Sequence, residues 1–259
     1  MKKTLILVIF LSLLLFCNQA VAQVKSRTKQ SSIYVSSGLL EIKEGANLGM
    51  VFKAPQISGG LTLERSTKDS ILIYQNRITF GPAFSRGMMG FPLSVKPVDL
   101  FYGINVVEKS TRFYLGPTIK IDYNLQCYPD LHSGFLFWFT DYHVGIGGLL
   151  ELPLNKILIR MQLSNSVAGF ISRPEAERDP YFFSLRFSDI MSSIHQDFSF
   201  GSFGLFNNTI FELGIFPGKD NHGFCVSYYV EYFVYSRKPE IAYLHHSIKI
   251  NFPLKGKRT

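Results

Sequence analysis

The chain has 259 residues, of which 46% are hydrophobic, 15% aromatic and only 18% charged, with a formal charge of +8. Removing Lys2 and Lys3 lowers that to +6, which Lys25, Arg27 and Lys29 near the start and Lys255, Lys257 and Arg258 at the end account for in full. The body between these basic ends is formally neutral, so the high pI is no sign of nucleic-acid binding.

The first 22 residues have the pattern of a secretory signal peptide. Lys2 and Lys3 form a positive start, Leu5 to Phe16 an apolar stretch, and Ala20-Val21-Ala22 the small residues a signal peptidase needs, which places cleavage before Gln23. The apolar stretch is too short to span a bilayer as a helix, which takes about 20 residues. Cys17 follows Phe16, where a lipoprotein signal carries a small residue. Residues 23–31 form a basic N-terminal segment, 32–252 the folded body and 253–259 a basic tail.

Downstream, every apolar stretch is broken by charges or glycines. The dominant pattern is long period-two alternation, the mark of strands with one apolar face. From 113 to 126, Phe113, Leu115, Pro117, Ile119, Ile121, Tyr123 and Leu125 alternate with Tyr114, Gly116, Thr118, Lys120, Asp122, Asn124 and Gln126. From 136 to 152 a similar run carries Asp141, His143 and Glu151 on its polar face. Residues 156–168 and 241–252 repeat the pattern, with His246 an exception on the second apolar face. Such runs exceed the usual strand of about 5–6 residues and reach the roughly 9–11 that a tilted strand needs to cross a bilayer.

Short polar connections occur at 67–70, 108–111, 153–156 and 218–221, and longer ones around 86–97, 127–134 and 172–180. Read as alternating turns and loops, they predict strands near 32–42, 47–64, 69–85, 98–107, 112–126, 135–152, 156–171, 180–188, 196–206, 209–216, 222–235 and 240–252. The expected fold is all-β, a single closed antiparallel transmembrane barrel of about 12 strands, within a range of 10 to 14. Both termini then lie on one side of the membrane. Trp138 and Tyr142, Tyr181 to Phe183, Tyr102, Tyr235 and Tyr243 gather near strand ends, as interfacial girdles do. Cys127 and Cys225, the cysteines left after cleavage, fall on opposite sides and are expected as free thiols.

With its export signal, alternating strands, aromatic ends and last strand, essentially the whole mature chain resembles the outer-membrane β-barrel class of Gram-negative bacteria. Ile248-Lys249-Ile250-Asn251-Phe252 is similar to the closing strand, ending on an aromatic, that the barrel-insertion machinery reads, although Pro253 to Thr259 follow it. The resemblance implies a place in the cell outer membrane and contact with its lipid and lipopolysaccharide. No narrower family is identified.

Eleven charged or titratable residues are expected to point into the lumen: Arg77, Lys120, Asp122, Asp141, His143, Glu151, Arg160, Arg186, Glu212, Glu231 and Lys249. They form either a network that plugs the barrel or the lining of a pore for small solutes, and their near-equal signs argue against strong ion selectivity. The leading reading is a non-enzymatic barrel, a narrow channel or a structural and surface-interaction protein.

An outer-leaflet acyl hydrolase is the second reading. It needs a Ser beside a base near the outer rim. His245 and Ser247 share a face that turns inward, His132-Ser133 lies in an outer loop, and Leu163-Ser164-Asn165 is a fragment with Gln162 where a His would stand. None is complete. A secreted soluble ligand-binding barrel, with its apolar face inward, is the third. His245 and His246 point to opposite faces and cannot share a metal, so neither metal nor cofactor is expected. Gly145-Ile146-Gly147-Gly148 lies inside a strand, where glycines make room in a narrow lumen. Asn207-Asn208-Thr209, which matches a glycosylation sequon, is expected as an outer hairpin turn.

Overall fold

Alternation of side chains obliges each long segment to put one face on each side of a sheet. A computed structural model of the chain describes residues 28–45, 49–107, 111–129, 136–173, 194–195, 198–217, 224–237 and 240–254. The strands are β1 (Thr28–Glu44), β2 (Met50–Ser66), β3 (Ser70–Phe80), β4 (Ala83–Ser85), β5 (Met88–Asn105) and β6 (Arg112–Cys127). They continue as β7 (Leu136–Leu154), β8 (Ile157–Ser172), β9 (Ser199–Ser202), β10 (Phe206–Pro217), β11 (Cys225–Tyr235) and β12 (Ile241–Leu254).

Ten of these close a ring in the order β1-β2-β3-β5-β6-β7-β8-β10-β11-β12, every pair antiparallel, and β12 returns to β1 from Ser31↔Leu254 to Glu44↔Ile241. The two short strands extend others. β4 carries on the line of β3 past Gly81-Pro82 and pairs with both neighbours of β3. β9 takes the place of β10 beside the upper part of β8.

The wall is inside out. Ile33, Val35, Ile57, Ile78, Leu115, Ile146, Leu163 and Ile248 are exposed on the outer surface. Lys120, Asp122, Asp141, Glu151, Glu231 and Lys249 are buried inside. A soluble barrel needs the reverse. Closure leaves no edge strand with unpaired backbone groups, the condition for a sheet to survive in lipid. The protein is a transmembrane β-barrel of the outer-membrane class. Among the described residues no helix is long and apolar enough to cross a membrane.

One end carries tight turns. Thr67 closes the connection at 67–70, its hydroxyl accepting from Asp69 N and Ser70 N, and Asn155-Lys156 turns with Asn155 at φ 43°. The other end carries the longest connections, between β6 and β7 and between β8 and β9. By the rule that short turns face the periplasm, the turn end is periplasmic and the loop end external. Cys127 closes β6 at the loop end, Cys225 opens β11 at the turn end, and both are free.

Ten strands close the barrel, within the expected range of 10 to 14; the stretch 196–206 holds β9 and the first residue of β10, and the strand expected at 180–188 lies outside the described residues. Three expectations need correction. Residues 86–97 are not a long loop. Arg86-Gly87 makes a two-residue turn with φ of 45° and 84°, a mirror-image hairpin turn, and β5 begins at Met88. Gly90, Pro92 and Pro97 hide that strand in the sequence, and a register shift between Val95 and Val98 gives Pro97 a site where no ladder donor is needed. Asn207-Asn208-Thr209 lies within β10, and the turn falls at Phe203-Gly204-Leu205, with Gly204 at φ 92°. Lastly, Tyr235 and Tyr243 are buried inside the barrel and do not join an outer girdle.

Candidate functional site

Among the described residues the lumen holds a dense set of ionisable groups, layered from one end to the other. Facing the loop end is an aromatic layer. Phe233 stacks on Tyr243 with ring centroids 4.9 Å apart, and Phe139 on Phe233 at 5.1 Å. Phe206 meets Phe233 edge-on at 5.5 Å. Leu40, Ile42, Phe52, Tyr128, Ile171 and Tyr235 belong to the same cluster. Its members come from β1, β2, β7, β8, β10, β11 and β12, so it fills the lumen's cross-section rather than lining one wall.

Below it, Lys96 on β5 is ion-paired with Glu231 on β11 and with Asp122 on β6 at 2.8 Å. In a ring of ten, β5 and β11 lie five strands apart in either direction, so the Lys96–Glu231 pair spans the full width. Glu231 also accepts from Tyr229 Oη at 2.8 Å, Tyr243 Oη at 2.9 Å and Asn208 Nδ2 at 3.0 Å. Arg77 lies over the Tyr229 ring at 3.8 Å and donates to Tyr34 Oη at 3.3 Å. A buried carboxylate is tolerated only when so fully paired, because desolvating it alone costs several kcal/mol.

Toward the turn end, Arg160 on β8 pairs with Glu64 on β2, again opposite in the ring, and with Glu151 on β7. Arg112 closes on Glu151 from the rim at 3.0 Å. Beside them, Lys249 contacts Glu212 at 3.0 Å, and Glu212 accepts from Ser227 Oγ at 2.8 Å. Ile71, Ile73, Phe101, Tyr114 and Leu149 pack at the same end.

Burial together with these contacts puts ten of the eleven expected lumen residues in the barrel interior; Arg186 lies outside the described residues. The list omits Lys96, Glu64 and Tyr229. Lys96 sits in the segment read as a loop. Glu64 and Tyr229 each stand at alternate positions in their strands with Thr62 and Glu231, a parity that identifies them in hindsight. At the loop end Arg173 is paired with Glu44.

The space left is small. One cavity of about 50 Å3 opens among Gln30, Glu64, Gln75, Arg160 and Lys249. A second of about 30 Å3 lies among Gln56, Ser94, Lys96 and His245.

Among the described residues the catalytic fragments do not assemble. Asp141 Oδ1 and His143 Nδ1 are 2.7 Å apart, but the imidazole packs against Phe206, with centroids at 5.3 Å, and its Nε2 meets no hydrogen-bond partner among the described residues. Lys120 Nζ donates to Ser164 Oγ at 2.9 Å, beside a cavity of about 10 Å3 that admits no acyl chain. At the outer rim His195 Nε2 approaches Tyr123 Oη at 3.3 Å. His245 points inward beside Tyr229, and His246 outward beside Tyr228. His132 and Ser133 lie outside the described residues. Among the described residues no group of three His, Cys, Asp or Glu is placed to hold a metal.

No family model and no curated protein matches the chain. Among solved structures, it is similar to the translocator domain of the autotransporter NalP from Neisseria meningitidis, with 8% identity over 97% of both chains and a TM-score of 0.40. An outer membrane channel from Pseudomonas putida F1 has 8% identity over 90% of this chain and 98% of that one, with a TM-score of 0.40. The β domain of the Bordetella autotransporter BrkA has 11% identity over 85% and 98%, with a TM-score of 0.39.

Proposed function

We propose that this chain is a closed, non-enzymatic outer-membrane barrel that acts through its surfaces and not by conduction. The observation behind this reading is the Lys96–Glu231 pair, which joins opposite walls and leaves a solute no central path. The Arg160–Glu64 pair repeats the closure nearer the periplasm, and the aromatic layer repeats it nearer the outside. A pore lined by charge keeps those charges on the wall, with water between. Here they neutralise one another across the axis.

In this reading the segment before Gln23 is removed on export. The strand through Ile248–Phe252 is the signal for the insertion machinery. The exposed belt meets lipid and lipopolysaccharide, and the loop end is the working surface.

Single-channel recording of the refolded protein in a planar bilayer, at several salt concentrations, tests it. Insertion without conductance steps is the expected result. Stable steps whose size follows salt concentration would overturn it and make Arg160 and Glu231 pore-lining residues.

A further inference from the structure

The outer wall carries a polar island that nothing in the closed lumen requires. Asn165 on β8 and Asn207 and Thr209 on β10 all point outward. Asn165 Nδ2 donates to Asn207 Oδ1 at 3.0 Å and to Thr209 Oγ1 at 2.7 Å, and Thr209 Oγ1 donates to Asn207 Oδ1 at 3.1 Å. This three-way bonding ties the orientations of the two amides to one another. It also uses both protons of the Asn165 amide and the carbonyl of Asn207. The Asn165 carbonyl and the Asn207 NH2 make no other hydrogen bond among the described residues, leaving one acceptor and one donor group.

Their surroundings are apolar. Asn165 pairs in register with Ile146 and Thr209, and Thr209 with Tyr232. Ile146, Leu163 and Tyr232 are all exposed outward. Directly beside the island, the chain leaves the wall at Phe203-Gly204-Leu205, with Phe203 66% and Leu205 48% exposed. Hydrocarbon offers an amide no partner, and an unsatisfied polar group there is costly.

We propose that this face is where two copies of the chain associate, with the Asn207 amide of each donating to the Asn165 carbonyl of the other. Donor and acceptor are present once each on one patch, so the patch complements itself under a two-fold axis, as an isologous interface requires. A phosphorylated headgroup would ask for cations, and the island has none. A lipid ester offers only acceptors and leaves the Asn165 carbonyl unmet. The neighbouring apolar side chains supply close packing, and the amides supply the polar contact that holds membrane-embedded surfaces together.

Cysteine cross-linking of the full-length protein in phosphatidylethanolamine/phosphatidylglycerol vesicles tests the proposal, in a Cys17→Ser, Cys127→Ser, Cys225→Ser background. Leu163→Cys puts a thiol beside the island, and Ile78→Cys puts one on β3, opposite β10 in the ring. Oxidation is expected to give a covalent dimer with the first and little with the second. Adding Asn207→Leu to Leu163→Cys is expected to cut the dimer yield about tenfold. Folding is checked by gel mobility without heating, because a closed barrel resists SDS. Folded Leu163→Cys protein that gives no dimer, equal cross-linking at both sites, or a yield unmoved by Asn207→Leu would each overturn the proposal.

Discussion

Arg160 on β8 and Glu64 on β2, 96 residues apart in the chain, meet across the barrel in a two-pronged ion pair of 2.7 and 3.0 Å. The same guanidinium donates through Nε to Glu151 at 3.1 Å. One cation therefore holds two carboxylates at a depth where neither could be left alone.

Removing that cation should be severe. Arg160→Met takes the shared cation away from Glu64 and Glu151, leaving Glu151 with Arg112 at the rim, and breaking such a buried pair typically costs about 3–5 kcal/mol. Urea unfolding in lipid vesicles should show this loss. Arg160→Lys should recover only part of it, because an ammonium cannot reproduce the planar fork. The exposed pair Glu41–Lys53 on the outer wall, at 3.0 Å, serves as the control: Glu41→Gln should change stability by less than about 1 kcal/mol. An Arg160→Met variant as stable as the parent would refute this account of the lower layer.

The glycine run in β7 offers a second contrast. A methyl on Gly145 would fall 2.2 Å from the Asn165 backbone oxygen and 2.8 Å from Thr118 Oγ1, whereas on Gly148 it would meet the Phe113 ring edge at 3.3 Å and the Tyr114 backbone oxygen at 3.9 Å. The first obstacle is backbone and cannot turn away. Gly145→Ala is expected to destabilise the barrel by about 1–3 kcal/mol, the usual cost of overpacking, and Gly148→Ala to have little effect. Unfolding midpoints of the two variants check this, and equal midpoints would count against the packing described.

The aromatic layer should matter for stability but not, by itself, for closure. Phe139→Ala removes a ring that stacks on Phe233 and lies 6.1 Å from Tyr243. The expected loss is about 3–5 kcal/mol, with no conductance gained, because the two ion-pair layers beneath remain. Conductance steps from this single variant would mean that the Lys96 and Arg160 layers do not close the lumen.

Much of the architecture was legible in the sequence because alternation is local. The inward face of β6, from Tyr114 to Gln126, and that of β7, through Asp141, His143 and Glu151, can be read one residue at a time. The same parity turns Tyr243 inward with His245, and the girdle reading of it gave position near a strand end more weight than face. Legibility failed where glycine or proline breaks the period, as at Gly90, Pro92 and Pro97, which concealed β5 and with it Lys96. It failed again between 188 and 210, where β9 and β10 share one line of the wall around an outward turn.

Sequence by itself determined the class of fold, the face on which each long strand puts its charges, and the opposite placement of Cys127 and Cys225. Tertiary structure alone decided the ring of ten, the partnership of Lys96 with Glu231 and Arg160 with Glu64, and the meeting of Asn165 with Asn207. The reason is physical: a period of two residues is a property of each strand, carried by its own side chains. Which strands stand opposite depends on how many close the ring and in what register, and those quantities belong to no single stretch of the chain.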